Sequence, residues 1–186
     1  MKAPLFKFLS YKYDLEDWEF KKRGLLKRVN EGKFTRPVPK THESDRRDNN
    51  KRYLHYLNEL LTPEITEFCE EVDMMFRMVD CWTVRYNRGD YQHAHNHGSI
   101  GFSGILYLEF DPSVHQSTCF ISPWQEPRYD GTSIRFVEDV KEGSLFIFPS
   151  YCLHYNVANE SNKTRTVLSF NLDPILPAQQ AINKDE

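Results

Sequence analysis

The sequence predicts an α+β protein in which N-terminal helices support a jelly roll of short antiparallel strands. Before residue 80 the apolar residues recur at helical spacing, whereas after it they alternate or form short runs bounded by turn residues. The 13 phenylalanines and 10 tyrosines suit a β-structure with a filled interior. The length of 186 residues suffices for one domain with a core, so we expect a single domain over 1–186, with a helical part at 1–79, a β-core at 80–173 and a tail at 174–186.

Two helices are expected in the first sixty residues. The first lies between Leu15 and Val29, because Trp18 and Leu25 share a face with them at helical spacing. A second, shorter helix is expected over 51–61. Amphipathic helices bury their apolar face, and the predicted β-core is the surface available to these two.

A third helix is predicted to follow directly. Thr62 and Pro63 are typical of a helix start, with Thr62 as the cap and Pro63 at the first helical position. Apolar residues then recur at helical spacing from Ile65 to Phe76, so we expect this helix to reach Phe76.

The segment between the first two helices is polar and basic. Residues 31–50 lack periodicity, which indicates a loop or a mobile lid. The wider stretch 21–52 contains 12 Lys and Arg against 4 acidic residues, half of the basic residues in the chain. Such a charge run is usually a solvated face, and the alternative is a docking surface for an acidic partner or nucleic acid. Substitution of four of these basic residues by Ser would test for a docking surface, and they are Arg46, Arg47, Lys51 and Arg52.

The chain after residue 80 reads as a series of short strands. Turn residues such as Asp111-Pro112 and Glu142-Gly143 separate them. Short, regularly spaced strands with these breaks predict a jelly roll or a barrel. The predicted strands span 81–87, 103–110, 117–122, 133–137, 144–149, 153–157 and 164–171.

Four histidines indicate a metal site. His93, His95 and His97 alternate, so they would share one face of an extended strand. His154 lies in an apolar run after Pro149, where an unpaired polar ring would be costly. Each histidine alone would more often be structural, but a pair two residues apart with a remote third can close a facial metal triad.

The same region resembles a known family. It is similar to the 2-oxoglutarate/Fe(II) oxygenase family found in marine bacteria and their phages, a prolyl-hydroxylase-like group, over about residues 80–173. The matching residues are His95-Asn-His97-Gly-Ser-Ile-Gly-Phe-Ser103-Gly104-Ile-Leu-Tyr107, Gly143-Ser-Leu-Phe-Ile-Phe-Pro149-Ser150-Tyr-Cys-Leu-His154 and Arg165-Thr-Val-Leu-Ser-Phe-Asn171. The resemblance implies a double-stranded β-helix that binds Fe(II), uses 2-oxoglutarate and O2 as co-substrates and releases succinate while hydroxylating a substrate.

The sequence departs from the family at one metal ligand. Such oxygenases hold Fe(II) with an H-x-D/E pair and a remote histidine, but His97 stands in the place of the acid. The favoured triad is His95, His97 and His154. In one alternative an acid, Glu109 or Asp111, completes the triad. In the other, His93 and His95 form the pair and His97 lies behind them.

A co-substrate site follows from the resemblance. Arg165, eleven residues after His154, matches the basic residue that pairs with the distal carboxylate of 2-oxoglutarate. A guanidinium binds a carboxylate through two parallel hydrogen bonds, which fixes charge and orientation together. Tyr107 could donate its hydroxyl to the same carboxylate, and Ser169 and Asn171 could line the pocket.

Other functions remain open at this stage. The spacing from Gly89 to His97 and from Gly143 to His154 also partly matches the two cupin motifs, so a cupin-like metalloprotein, such as a thiol dioxygenase or an isomerase, is the first alternative. A non-catalytic metal-binding module is the second. Arg165 favours the oxygenase, because a cupin has no need for it.

Partners and compartment are less specified. The substrate is expected to be a protein side chain or a small molecule, nucleic acid is not expected, and a homodimer is possible. No run of 18 apolar residues and no clear signal peptide occur, so we expect no membrane partner and a cytoplasmic location in a bacterial or phage-infected cell. Four scattered cysteines are expected to be buried free thiols, and they are Cys69, Cys81, Cys119 and Cys152.

Overall fold

The computed structural model describes residues 9–49, 53–123 and 134–176. Within these ranges ten strands and three helices follow one another along the chain. They are β1 (Tyr11–Asp14), α1 (Trp18–Val29), β2 (Glu43–Ser44), α2 (Leu54–Leu60), α3 (Thr62–Val72), β3 (Phe76–Tyr86), β4 (Gln92–His95), β5 (Phe102–Glu109), β6 (Cys119–Ile121), β7 (Ile134–Phe136), β8 (Ser144–Pro149), β9 (Leu153–Asn156) and β10 (Arg165–Pro174).

The strands form two antiparallel sheets. The large sheet has six strands in the order β1-β8-β5-β10-β3-β2, and the small sheet has four in the order β4-β9-β6-β7. From β3 onward the chain passes back and forth between the two sheets, and only β6 and β7 are consecutive strands of this part that lie in the same sheet. This is the double-stranded β-helix, and it confirms the predicted fold class.

The large sheet is buried on both faces. On its outer face Leu106 and Leu168 pack in one cluster with Leu25, Leu57 and Phe68 of the three helices. The opposite face looks into the barrel. Burial on both faces explains why successive residues of β5 and β10 are buried instead of every second one. The helices therefore support the barrel, as predicted.

The interior of the barrel is filled mainly by aromatic side chains. Trp82, Tyr86, Tyr107 and Phe148 belong to one buried cluster, and Phe120 of the small sheet packs against it. Aromatic rings fill the space between two sheets efficiently, which accounts for the high aromatic content. The predicted buried free thiols are confirmed, since all four cysteines lie within the described ranges, buried and without a disulfide.

Two short strands come from the part expected to be helical. In β1, Tyr11 lies opposite Ile147 of β8, and in β2, Ser44 lies opposite Val84 of β3. A strand of two to four residues has too little pattern to detect, because its stability comes from a partner strand far along the chain. None of the helices in the described ranges has the length and apolar character needed to cross a bilayer.

The third helix differs from its prediction at both ends. It ends at Val72, since Asp73 adopts φ 52° in the left-handed region, and Phe76 instead begins β3. The predicted cap is also wrong: Leu61 holds the cap position, and the Thr62 hydroxyl donates to the carbonyl of Asn58 at 2.8 Å. Because α2 runs almost directly into α3, this helix start is not free to take a side-chain cap. Pro63 lies in the first turn, as predicted.

The segment 31–49 is mainly a loop, as predicted, but it is tied to the barrel. Buried Asp45 accepts hydrogen bonds from the Thr83 backbone N–H at 2.7 Å and from the Tyr53 hydroxyl at 2.6 Å. Arg36 binds both carboxylate oxygens of Asp90, at 2.8 and 3.1 Å. These buried and bidentate bonds favour a packed loop over the alternative of a mobile lid.

Candidate metal centre and co-substrate pocket

Three histidines converge between the two sheets. His95 is the last residue of β4 and lies directly opposite His154 of β9, while His97 lies two residues beyond the end of β4. One ligand atom from each of the three falls within 4.8 Å of the others. The favoured triad of the sequence prediction is therefore brought together.

The strand geometry that brings these histidines together differs from the prediction. The pairing of β4 with β9 shifts between Gln92 and His95, which marks an irregularity in the strand and breaks the simple alternation of sides. His93 is consequently exposed, with its ring set edge-on to Tyr91. The expectation that His93, His95 and His97 share one face of a strand was wrong, and His93 does not join the cluster.

His95 and His154 are oriented by main-chain oxygens of their own strands. The Nδ1 of His95 donates to the carbonyl of His93 at 2.8 Å, and the Nδ1 of His154 donates to the carbonyl of Cys152 at 2.9 Å. A proton on Nδ1 leaves Nε2 as the unprotonated nitrogen with a free lone pair. The Nε2 of His154 is thus set to bind a cation, and the Nε2 of His95 can do so by exchanging the hydrogen bond that it accepts from the Gln92 amide at 3.3 Å.

The ring of His97 is held by side chains instead of main-chain oxygens. Its Nδ1 lies 3.0 Å from Oδ1 of Asn171 and 3.0 Å from Oγ of Ser103, and its backbone N–H donates to the carbonyl of Ser150 at 2.9 Å. Its ring packs against Trp82, with centroids 5.2 Å apart. The Nε2 of His97 is buried and has no hydrogen-bond partner among the described residues. Such an orphaned nitrogen fits a metal ligand.

Burial keeps the three imidazoles neutral. Desolvation, reinforced by the neighbouring His95, lowers the pKa of His154 to about 3. Desolvation also lowers the pKa of His97 to about 4 and the pKa of His95 below its usual range. At neutral pH these rings therefore offer lone pairs instead of positive charge, which is the form that binds a metal.

The acids considered as alternative ligands lie elsewhere. Glu109 accepts a hydrogen bond from Thr166 at 2.5 Å, and Asp111 pairs with Lys163 beyond the end of β5. Ser103, which contacts His97, is six residues before Glu109 on the same strand, about 20 Å away at the rise of a β-strand. The geometry thus favours His97 over either acid as the third member.

Arg165 is a buried cation that makes no ion pair with the described residues. It is 2% exposed, and only its Nη1 makes a hydrogen bond, to the carbonyl of Gln116 at 2.6 Å. Its Nε and Nη2 have no hydrogen-bond partner in the described part of the chain. A buried guanidinium left this way is costly, so the arrangement fits a ligand that brings a carboxylate.

Tyr107 lies opposite Val167 of β10, which places it diagonally across the ladder from Arg165 on the same face of the sheet. Its oxygen accepts the backbone N–H of Thr118 at 3.0 Å, which leaves its own proton free to donate. Burial raises the pKa of Tyr107, and the charge of Arg165 partly opposes that rise. A cavity of about 330 Å³ borders Arg165 between the loops 114–116 and 157–160, and neither Tyr107 nor any of the three histidines lines it.

A polar chain that sequence reasoning missed connects the histidines to Arg165. The Nε2 of Gln92 lies 3.3 Å from Nε2 of His95, and the Tyr86 hydroxyl donates to Oε1 of Gln92 at 2.5 Å. Asn156 donates to the Tyr86 hydroxyl at 2.9 Å, and the Arg165 guanidinium lies 4.3 Å from the centre of the Tyr86 ring. The signal in the sequence was Asn156 itself, because a residue two after His154 on a strand shares its face.

The barrel entrance contains one further cation. Arg46 of the loop 31–49 lies with its guanidinium 4.4 Å from the centre of the Trp82 ring, and Trp82 in turn packs on His97. The charge of Arg46 contributes to the low pKa of both His95 and His97, although desolvation is the larger cause. Part of the basic segment is thus at the site, whereas Lys51 and Arg52 lie outside the described residues.

Fold and site together define a class. A double-stranded β-helix with three convergent imidazoles, an interior lined by neutral hydrogen-bonding groups and a buried unpaired arginine is the frame of a non-haem iron oxygenase. Imidazole ligands suit Fe(II), and a facial set of three leaves coordination positions for a chelating co-substrate and O2.

The family follows from the sequence comparison. Residues 80–171 match the model of the family described as "Putative 2OG-Fe(II) oxygenase". The chain belongs to this 2-oxoglutarate/Fe(II) oxygenase family, and the matched range contains all three histidines, Tyr107 and Arg165. It is accordingly an enzyme that uses Fe(II) and 2-oxoglutarate. No curated protein sequence matches the chain significantly.

Solved structures have the same fold. A prolyl-4-hydroxylase from Pseudomonas putida is similar with a TM-score of 0.62 at 17% identity, covering 89% of this chain and 92% of the other. The viral collagen prolyl hydroxylase of Paramecium bursaria Chlorella virus-1, solved with 2-oxoglutarate, gives 0.59 at 15%, covering 88% and 94%. HygX from Streptomyces hygroscopicus, solved with nickel, 2-oxoglutarate and hygromycin B, gives 0.66 at 11%, covering 90% and 83%.

Proposed function

We propose that His95, His97 and His154 hold Fe(II) through their Nε2 atoms, and that Arg165 and Tyr107 bind the distal carboxylate of 2-oxoglutarate. The observation that supports this assignment most directly is the pair of unsatisfied groups, Nε2 of His97 at one end and Nε and Nη2 of Arg165 at the other. The imidazole nitrogen lacks a cation to bind, and the guanidinium lacks an anion. A metal chelated by a dicarboxylate would satisfy both.

The chain's own residues would then position the co-substrate. The fork of Arg165 sets the direction of the carboxylate, and Tyr107 donates a third hydrogen bond. Burial raises the pKa of Tyr86 to about 12, so its hydroxyl stays protonated at its place between the histidines and Arg165. Bound Fe(II) supplies the activation of O2 that links decarboxylation of 2-oxoglutarate to oxygenation of the substrate.

The reaction proposed is hydroxylation of a protein side chain or a small molecule. Neighbouring structures offer examples of both, since a prolyl hydroxylase from Trichoplax adhaerens was solved with a peptide fragment and HygX with hygromycin B. The unpaired guanidinium of Arg165 argues against the cupin-like and non-catalytic alternatives, neither of which requires a buried carboxylate. Four buried free cysteines support a reducing compartment, in keeping with the cytoplasm of a bacterial or phage-infected cell.

A series at position 97 tests the ligand set. His97→Asp should keep Mn(II) binding and Fe(II)-dependent succinate formation, because a carboxylate is the ligand that this chemistry commonly uses there. His97→Ala should weaken Mn(II) binding by more than the roughly 10–100-fold typical of losing an outer-shell partner. Calorimetry measures the first quantity and mass spectrometry of succinate the second.

Glu109→Ala is the matched control for this series. It should bind Mn(II) like the parent, because its carboxylate contacts Thr166 and not the histidines. The proposed triad would be wrong if His97→Ala bound Mn(II) like the parent while Glu109→Ala did not.

The basic loop suggests that the substrate has an acidic group near the reacting position. Arg46 is exposed, lies over Trp82 at the entrance and makes no ion pair within the described ranges. Arg47 next to it is also exposed. Exposed charges of this kind favour encounter with an oppositely charged partner more than they add to final affinity.

Changing Arg46 and Arg47 together to Ser tests this suggestion. The probe is a fluorescent library of random peptides rich in Asp and Glu, with the Asn and Gln counterpart as reference, measured by anisotropy on protein with Mn(II) and 2-oxoglutarate. We expect the double variant to lose about 2–10-fold in affinity for the acidic library, and the preference of the parent to fade as salt rises. The variant with Arg23 and Lys27 of α1 changed to Ser removes the same charge and should bind like the parent. If the parent and both double variants bound the acidic library equally at low salt, the loop would be a solvated face without a role in substrate binding.

A further inference from the structure

His97 is held in a different way from the other two histidines. His95 and His154 face each other within a β-ladder, and each Nδ1 bonds to a main-chain carbonyl two residues earlier. His97 lies beyond the end of β4, so no ladder fixes it. The direction of its ring must therefore come from the side chains around its Nδ1.

Those side chains form a hydrogen-bonded network that is anchored in the large sheet. Asn171 of β10 and Ser103 of β5 are direct partners across the large sheet, so the ladder holds them together. The Ser103 hydroxyl donates to Oδ1 of Asn171 at 3.0 Å and lies 2.9 Å from Oγ of Ser150. Both serines are buried, and every hydroxyl in the group has a partner. The hydrogen bonds of these two serines hold Oδ1 of Asn171 in place, which makes it a good support for a ligand.

The two groups that contact Nδ1 of His97 are not equivalent. A serine hydroxyl both donates and accepts, so Ser103 can bond to Nδ1 whether or not that nitrogen is protonated. The amide oxygen of Asn171 only accepts, so it requires the Nδ1–H form. That form leaves the lone pair on Nε2, the atom that is buried without a partner in the described chain.

We propose that Asn171 is the positioning residue that makes His97 a metal ligand, by selecting its Nδ1–H tautomer and fixing the ring toward the site. This inference rests on the ligand set proposed above. An acid at position 97 has no tautomer to choose, so the need for Asn171 arises from the histidine that stands there. Asn171 acts through His97 and does not itself contact the metal.

The test compares Asn171→Leu with Asn171→Asp. Leucine keeps the bulk but removes the acceptor, so Mn(II) affinity should fall about 10–100-fold, as is typical for loss of an outer-shell partner. Aspartate keeps an acceptor and should restore parent-like or tighter binding. In metal-free protein with ¹⁵N-labelled histidine, NMR should show one Nδ1–H tautomer of His97 in the parent and in Asn171→Asp, and a mixture in Asn171→Leu. Asn171→Ala takes the place of the leucine variant if that one does not fold.

Two controls make the result decisive. Thr166→Val removes a buried hydroxyl of the same strand that donates to Glu109, away from the histidines, and should bind Mn(II) like the parent. Parent-like affinity and tautomer in Asn171→Leu would overturn the inference, as would equal loss in the leucine and aspartate variants, because shape alone would then explain the effect. If His154→Ala also bound Mn(II) like the parent, the proposed ligand set would have failed, and this inference with it.

Discussion

His154→Ala should abolish stoichiometric binding of Mn(II), a redox-silent surrogate for Fe(II). His154 is 3% exposed and lies opposite His95, with ring centroids 4.3 Å apart, so it is the most enclosed of the three imidazoles. Its removal leaves two ligands on one side of the site and nothing from β9 to close it. We expect calorimetry to show a loss of affinity greater than the roughly 100-fold upper range for an outer-shell residue.

His115→Ala is the matched control for that experiment. His115 is also buried, but its ring nitrogens bond to the backbone N–H of Asp111 and the carbonyl of Lys163, away from the histidine cluster. Its loss should lower the free energy of unfolding and leave Mn(II) affinity unchanged. Unchanged affinity in His154→Ala, or an equal loss in both variants, would remove His154 from the ligand set.

Most strands of the β-core could be predicted from the sequence because each has its own local signal, but β4 was not among the predicted strands. Short apolar runs between turn residues were sufficient to predict strands at β5, β8 and β10 close to their observed limits. The end of α3 could not be found in this way. Phe76 continues the helical spacing, but Asp73 turns left-handed and the chain leaves the helix, so the tertiary need to start β3 overrides the local pattern.

The sequence was sufficient to predict which residues form the candidate site, but not which residues orient them. His95, His97, His154 and Arg165 could be singled out because their types and spacing match one chemistry. The residues that orient them depend on register across sheets. Ser103 meets His97 only because β5, β8 and β10 are neighbours in the large sheet and the end of β8 bonds to the loop after β4. No pattern along the chain encodes such a pairing.

With His97 as the ligand proposed above, the network would explain how a histidine can stand where the sequence resemblance implies an acid. A carboxylate at position 97 would present equivalent oxygens, whereas an imidazole must be held with the correct nitrogen outward. Neutral acceptors supply this without adding a buried charge, since Asn171 and Ser103 satisfy Nδ1 at 3.0 Å each. A histidine in place of an acid at position 97 depends on Asn171 and Ser103 for its orientation. In return, burial keeps its imidazole neutral.

Arg165→Ala should raise the concentration of 2-oxoglutarate needed for half-maximal succinate formation. Removing one partner of a buried charge pair costs about 2–5 kcal/mol, which corresponds to at least about 30-fold. Arg165→Lys should fall between the parent and the alanine variant, because one ammonium cannot reproduce the planar fork. Succinate formation is measured against 2-oxoglutarate concentration at saturating Fe(II) and O2.

The stability of the same protein without co-substrate should change in the opposite direction. Arg165 is buried with Nε and Nη2 unsatisfied in the described chain, so the Gln116 carbonyl and the Tyr86 ring offset only part of the cost of this cation in the free protein. Arg165→Met keeps much of the volume and removes the charge, and its free energy of unfolding should equal or exceed that of the parent when no 2-oxoglutarate is present. Added 2-oxoglutarate with Mn(II) should then stabilise the parent and leave the methionine variant nearly unaffected, since only a ligand that binds the folded state raises its stability. An Arg165→Met protein that is less stable than the parent and still stabilised by 2-oxoglutarate would make this arginine part of the fold, with the carboxylate bound elsewhere.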